Sequence, residues 1–234
     1  MKTARIKLDY NKSGLWISGL LLISFIAFWP TYYAVLSDSG FFVHFHAATA
    51  IIWFALLIIQ PALIRKRKLK LHRLLGNMSY PVAGLVLISI LLLAHNKIST
   101  APESFYAIRT YLLYLQISLA FVFAVTYAFA ILYRKTKPVH ARLMVATSFT
   151  FIDPVFARLI NSYLPDIAIS GQFITFGLIN MTLIALSIID RNHSKARWVF
   201  PGLLILYLVI EIPIFFDLTG LPWWQSFAAW FASI

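Results

Sequence analysis

The sequence predicts an all-α polytopic transmembrane helix bundle of seven spans, with the N-terminus inside and the C-terminus outside. Three observations predict it. The 234 residues are 61% hydrophobic and 12% charged, against about 25% charged in soluble domains. The apolar residues form runs near the ~20 that one helix needs to cross a bilayer core, without the period-2 alternation of a barrel strand. Finally, 17 of the 20 Lys and Arg gather in four places: the N-terminal segment, 65–73, 134–142 and 191–197. The loops between them carry Asp38, Glu103, Asp166 and Asp217, with Lys97 and Arg109 for basic company. Basic loops that alternate with acidic ones mark the cytoplasmic side, and this alternation sets the orientation.

The elements follow in order. Span one covers 13–36 and contains Pro30; it is too long for a signal-peptide core and lacks a small-residue cleavage site, so it reads as a retained helix. Span two, 41–64, opens with His44 and His46. Span three, 75–95, closes on His95, and span four, 104–133, opens with Arg109. Span five, 141–164, holds Asp153-Pro154, Arg158 and Asn161. Span six is 168–190. Span seven, 197–217, carries Glu211-Ile-Pro213. The tail 221–234 (LPWWQSFAAWFASI) reads as an interfacial segment in the outer aromatic belt. Loops are short, so 1–234 reads as a single integral membrane domain of a bacterial-type inner membrane.

Several functions are excluded. The net charge of +12 is spread over loops that face anionic headgroups, not gathered on one face as for nucleic acid. The expected partner is the lipid bilayer, with a small ligand or ion. No cysteine is present, which removes disulfides and thiolate metal sites. A retinal protein needs a Lys in its last span, and 197–217 has none. Walker and Gly-x-Gly-x-x-Gly phosphate loops are absent, and no nucleophile constellation marks a lipid enzyme.

Ionisable groups at membrane depth carry the functional information, because each costs about 2.5–3.5 kcal/mol to insert. At ~1.5 Å of rise per residue, Asp153, Arg158 and Glu211 fall in the outer half of the membrane. His46 lies about two turns above the acids, Arg109 stands at the rim, and Asp153, Glu211, Arg158, Arg109 and Asn161 are the candidate ligand- or proton-binding residues. On span two, His46, Thr49, Trp53 and Gln60 share one face, expected to point inward. His44 is about 200° away from His46 on an ideal helix, so the two cannot ligate one ion unless the helix start is irregular.

Three readings follow. In the first, Asp153, Arg158 and Glu211 form buried ion pairs and nothing more. In the second, an outward-opening site binds a metal, haem or small polar ligand, with His46, His44 and His95 offering imidazole and Asp153 and Glu211 carboxylate. Such a set suits a divalent metal such as zinc, or non-haem iron. In the third, the acids exchange protons beside a broken helix in a proton-coupled transporter of a small solute. Arg158 is then either the counter-ion of Asp153 or an anion anchor. Pro30, Pro154 and Pro213 mark the expected breaks.

Two hairpins echo each other. Gln60-Pro61 leads through a basic turn to His72-Arg-Leu-Leu-Gly76, and Arg134–Lys137 leads to His140-Ala-Arg142-Leu-Met144. His72 and His140 match in depth, so they form a candidate haem b pair, with Arg73 and Arg142 placed for propionates. His193 reads as a solvated loop residue. The run Phe41-Phe-Val-His44-Phe-His46-Ala, Trp53, Gln60-Pro61 and these hairpins, with Asp153 and Arg158 as continuation, resembles uncharacterised bacterial multi-span membrane proteins with His-Arg-x-Leu-Gly hairpins. That resemblance covers roughly 40–165. It is similar in outline to b-type cytochromes and oxidase-assembly membrane proteins, and it implies a haem or copper connection.

Overall fold

Long apolar stretches without a charge must satisfy their backbone internally, and helices do so. The computed structural model describes residues 9–234 and places them almost entirely in helices. These are α1 (Ser13–Phe28), α2 (Phe41–Arg65), α3 (Leu69–Ser99), α4 (Tyr106–Leu132), α5 (Lys137–Ala146), α6 (Ile152–Tyr163), α7 (Gly171–Asp190), α8 (Val199–Phe215) and α9 (Pro222–Ser233). The N-terminal Lys2, Arg5 and Lys7 lie outside the described residues. Six segments are long and apolar enough to cross a membrane, α5 and α6 counting as one of 27 residues. The protein is a multi-pass membrane protein. The seventh apolar helix, α8, has 17 residues.

Two spans differ from their sequence reading, for local reasons. Span one stops at Phe28, not at 36, and a turn followed by a 3-10 segment, Tyr33–Asp38, leads to α2. Pro30 cannot donate its missing N–H, so the helix ends just before it. The Ile26 carbonyl near the break accepts from the Tyr163 hydroxyl at 3.0 Å. Span five is broken as well: α5 and α6 are joined by a 3-10 stretch, Thr147–Phe151. There Thr147, Ser148 and Thr150 each donate to the carbonyl three residues earlier, at 2.7, 2.7 and 2.9 Å. Pro154 follows in the first turn of α6, where a missing N–H is tolerated.

The packing is that of a membrane bundle. Large apolar side chains such as Leu22, Ile52, Phe121, Met181 and Ile205 face outward, while Ser79, Ser89, Ser118, Thr126 and Thr175 are buried. Small and hydroxyl residues between helices let backbones approach. The closest approach is at Gly14, where an added Cβ would sit 2.8 Å from the Ile58 carbonyl oxygen. Two cores flank α4. Phe123 belongs to one with Ile17, Trp53, Phe54 and Val86, and Val122 to the other with Leu143, Ile179, Leu183, Phe200 and Tyr207. α1 packs between α2 and α6, and α7 between α6 and α8.

The Trp-rich tail is docked, as α9. Trp224 is 6% exposed and its Nε1–H donates to the Thr110 carbonyl at 3.0 Å. With Ala228 it closes a small core against Ala94, Ile98 and Leu113 at the ends of α3 and α4. Trp223 and Trp230 remain exposed.

Candidate functional site

The two intramembrane acids both bind side chains of one helix, α7. Asp153 opens α6 and Glu211 lies near the end of α8; they are 4% and 0% exposed. Helix α7 lies between them and supplies the donors. Asp153 Oδ1 accepts from Gln172 Nε2 at 2.6 Å and from the Thr175 hydroxyl. Glu211 Oε2 accepts from Asn180 Nδ2 at 2.8 Å. Tyr207 stands one turn before Glu211 on the same face of α8 and is 1% exposed.

This cluster contains two carboxyls and no cation. Among the described residues the single ion pair is Arg142–Asp190. Three atoms of the cluster, Glu211 Oε1, Asn180 Oδ1 and the Tyr207 hydroxyl, are buried without a protein hydrogen bond. Burying such groups unpaired costs about 1–3 kcal/mol each, so this is where a polar guest or proton would gain most.

Arg158 does not serve as the counter-ion of Asp153. Five positions apart on a helix, the two point about 140° from each other. The Arg158 guanidinium donates to Thr31 Oγ1 at 2.9 Å and lies 5.0 Å from the centre of the Phe28 ring. Asn161 is exposed, its amide oxygen beside Gly171, and it does not join the acids.

The histidines are dispersed. His46 Nδ1 pairs with Ser89 Oγ at 3.1 Å, and Thr49 Oγ1 meets the same hydroxyl at 2.8 Å. Further along that face Trp53 Nε1 donates to Thr147 Oγ1 at 3.2 Å, which ties α2 to the broken span. His44 Nδ1 pairs with the Tyr32 hydroxyl at 3.0 Å. His95 lies edge-on to the Phe231 ring of α9. No group of three or more His, Asp or Glu among the described residues could hold a metal ion.

At the opposite end of the bundle, His72 Nδ1 is bonded to the Gln60 side chain, and His140 Nδ1 to the Ala130 carbonyl at 2.8 Å. Turned with its amino group toward His72, the Gln60 amide also accepts from the Gly76 N–H at 2.9 Å. Arg142 is not free for a propionate: its Nε and Nη2 both bind Asp190, at 2.5 and 3.0 Å, and its guanidinium lies 4.3 Å from the Tyr10 ring centre. His193, read from sequence as solvated, has its Nδ1 buried.

No protein-family model, curated protein or solved structure matches the chain. Its chemistry therefore rests on these side chains. Sequence reasoning found both acids but missed Gln172, Thr175, Asn180 and Tyr207. The signal was present, since three polar side chains interrupt the apolar start of α7 within nine residues.

Proposed function

We propose that this protein is a proton-coupled transporter of a small polar solute. It crosses a bacterial-type inner membrane seven times, N-terminus inside. The carrying observation is that two buried carboxyls, Asp153 of α6 and Glu211 of α8, both take hydrogen bonds from α7, with no ion pair to either among the described residues and three unpartnered polar atoms at Glu211, Asn180 and Tyr207. A carboxyl pair free of counter-ions can take up and release protons. The adjoining 3-10 break and Pro154 provide a helix that can change its local winding. At 17 residues, α8 lies at the short limit of a spanning helix, and the basic loops supply the orientation.

The test uses proteoliposomes that enclose a pH-sensitive dye. A pH gradient is imposed and amino acids, sugars and small carboxylates are offered outside. The wild type dissipates the gradient with at least one of them, and Asp153→Asn and Glu211→Gln, folded by circular dichroism, do not. Equal dissipation by both variants would sink the reading.

A haem-binding reading retains one specific support. His72 near the start of α3 and His140 near the start of α5 lie at the same end of the bundle, and each has Nδ1 occupied by a hydrogen bond, which leaves Nε2 as the ligand nitrogen. Haem held there would give a redox or cofactor-handling protein. An absorption spectrum of detergent-purified protein decides it: a Soret band lost in both His72→Ala and His140→Ala supports the pair, and a colourless wild type removes it.

A further inference from the structure

The two buried acids are bonded from α7 unequally. Asp153 takes two donors, Gln172 Nε2 and the Thr175 hydroxyl, on Oδ1. Donors to a carboxylate favour its charged form. Glu211 takes one donor, Asn180 Nδ2 on Oε2, and its other oxygen, Oε1, is buried with none. Glu211 is fully buried and stands one turn before the end of α8. There the helix carbonyls make the field negative, and no basic residue lies in that last turn.

The hydrogens around Glu211 can be counted. Three buried atoms lack a partner: Glu211 Oε1, Asn180 Oδ1 and the Tyr207 hydroxyl. With Glu211 ionised, the first two only accept, and Tyr207 brings the single hydrogen of the three. A proton on Oε1 turns one of those acceptors into a donor. The acid–amide pair can then close through two bonds, Nδ2–H to Oε2 and Oε1–H to Asn180 Oδ1. The elements packed against α8 supply no counter-charge instead. On α4, Tyr114 spends its hydroxyl on the Ile210 carbonyl at 2.8 Å. Arg109, in the first turn of α4, makes no ion pair, and Tyr106, Tyr111 and Tyr127 make no hydrogen bond to Glu211. Arg142 of α5 is bound to Asp190 of α7, while Lys137 and His140 stand at the opposite end of the bundle. The turn after α8 adds only an acid, Asp217. We propose that Glu211 holds a proton on Oε1 at neutral pH, closed against the Asn180 amide, while Asp153 is ionised. Resting on the transporter reading above, this makes Glu211 the proton carrier and Asp153 the fixed charge.

The experiment is infrared spectroscopy of the full-length protein reconstituted in lipid. At neutral pH the wild type shows the carbonyl stretch of a neutral carboxylic acid, moved by deuterium exchange and lost reversibly as the pH is raised. Glu211→Gln loses that band and Asp153→Asn keeps it, both folded by circular dichroism. Asn180→Leu keeps the band but shifts it, because the carbonyl loses its donor. Should Glu211→Gln fail to fold, isotopic labelling of the glutamate carboxyls assigns the band in the wild-type fold. The chain has one other glutamate, the exposed Glu103, and Glu103→Gln leaves the label on Glu211 alone. The proposal is overturned if the wild type shows no such band at neutral pH. It is also overturned if the band disappears in Asp153→Asn and survives in Glu211→Gln, or if the glutamate label does not move it. The transport reading fails separately. A band on Glu211 without gradient dissipation in dye-loaded proteoliposomes keeps the proton and removes transport, whereas dissipation without the band keeps transport and overturns this assignment.

Discussion

Arg142 and Asp190, 48 positions apart, meet through two parallel hydrogen bonds, Nε to Oδ2 at 2.5 Å and Nη2 to Oδ1 at 3.0 Å. The Tyr10 hydroxyl adds a third bond, donating to Oδ2 at 2.8 Å. One buried pair thus fastens the start of the first span, the middle of α5 and the end of α7. Removing one partner leaves the other charge buried alone, at a cost of about 3–5 kcal/mol. Asp190→Asn and Arg142→Gln should each lower stability by that amount in detergent unfolding. Arg142→Met combined with Asp190→Leu should cost clearly less than either. Tyr10→Phe should cost about 1 kcal/mol.

The contact between Asn180 and Glu211 yields a coupled pair of outcomes. Asn180→Leu removes the single donor to Glu211 Oε2 among the described residues, and stability should fall by about 1–3 kcal/mol. In a Glu211→Leu background the same change should be nearly neutral. Thermal unfolding of the four proteins measures the coupling directly.

Gly14 should tolerate no side chain. A methyl there would press on the backbone of Ile58 at 2.8 Å, so α1 and α2 would have to separate. Gly14→Ala should destabilise by about 1–3 kcal/mol, while Gly19→Ala, which meets open space, should be neutral or slightly stabilising in the same assay.

Trp224 should be the anchor of α9. Trp224→Ala should cost about 3–5 kcal/mol through the cavity it leaves. Trp224→Phe should cost about 1 kcal/mol, for the lost bond to the Thr110 carbonyl. Limited proteolysis of the tail should follow the same order.

The helical class and the places of the spans could be read because hydropathy is set by composition over some twenty residues. The breaks could not be read as easily. Thr147, Ser148 and Thr150 are compatible with an α-helix, and their 3-10 winding depends on partners such as Trp53, far away in sequence. Asp153 and Glu211 stood out as costly at their depth, and the structure gives both of them donors on α7. Each of their donors on α7 is ordinary alone in a membrane helix, and only the three together, within nine residues, carry a signal. Arg158 looked like the partner of Asp153 because it is near in sequence, but a separation of five places the two on different faces. Asp190 stands beside a basic loop in the sequence, and only the bonds from Arg142 and Tyr10 show it enclosed.

The Thr147–Phe151 stretch also acts as a phase shifter. Each 3-10 residue turns the chain by about 120° and advances it by about 2.0 Å, where an α residue gives about 100° and 1.5 Å. Five such residues therefore rotate α6 by about 100°, and carry it about 2.5 Å further, than an unbroken helix would. That rotation is what aims Asp153 at Gln172 and Thr175. The orientation of the carboxyl is set by the winding of five residues before it, so a change of pitch there would re-aim it with no movement of α7 or α8.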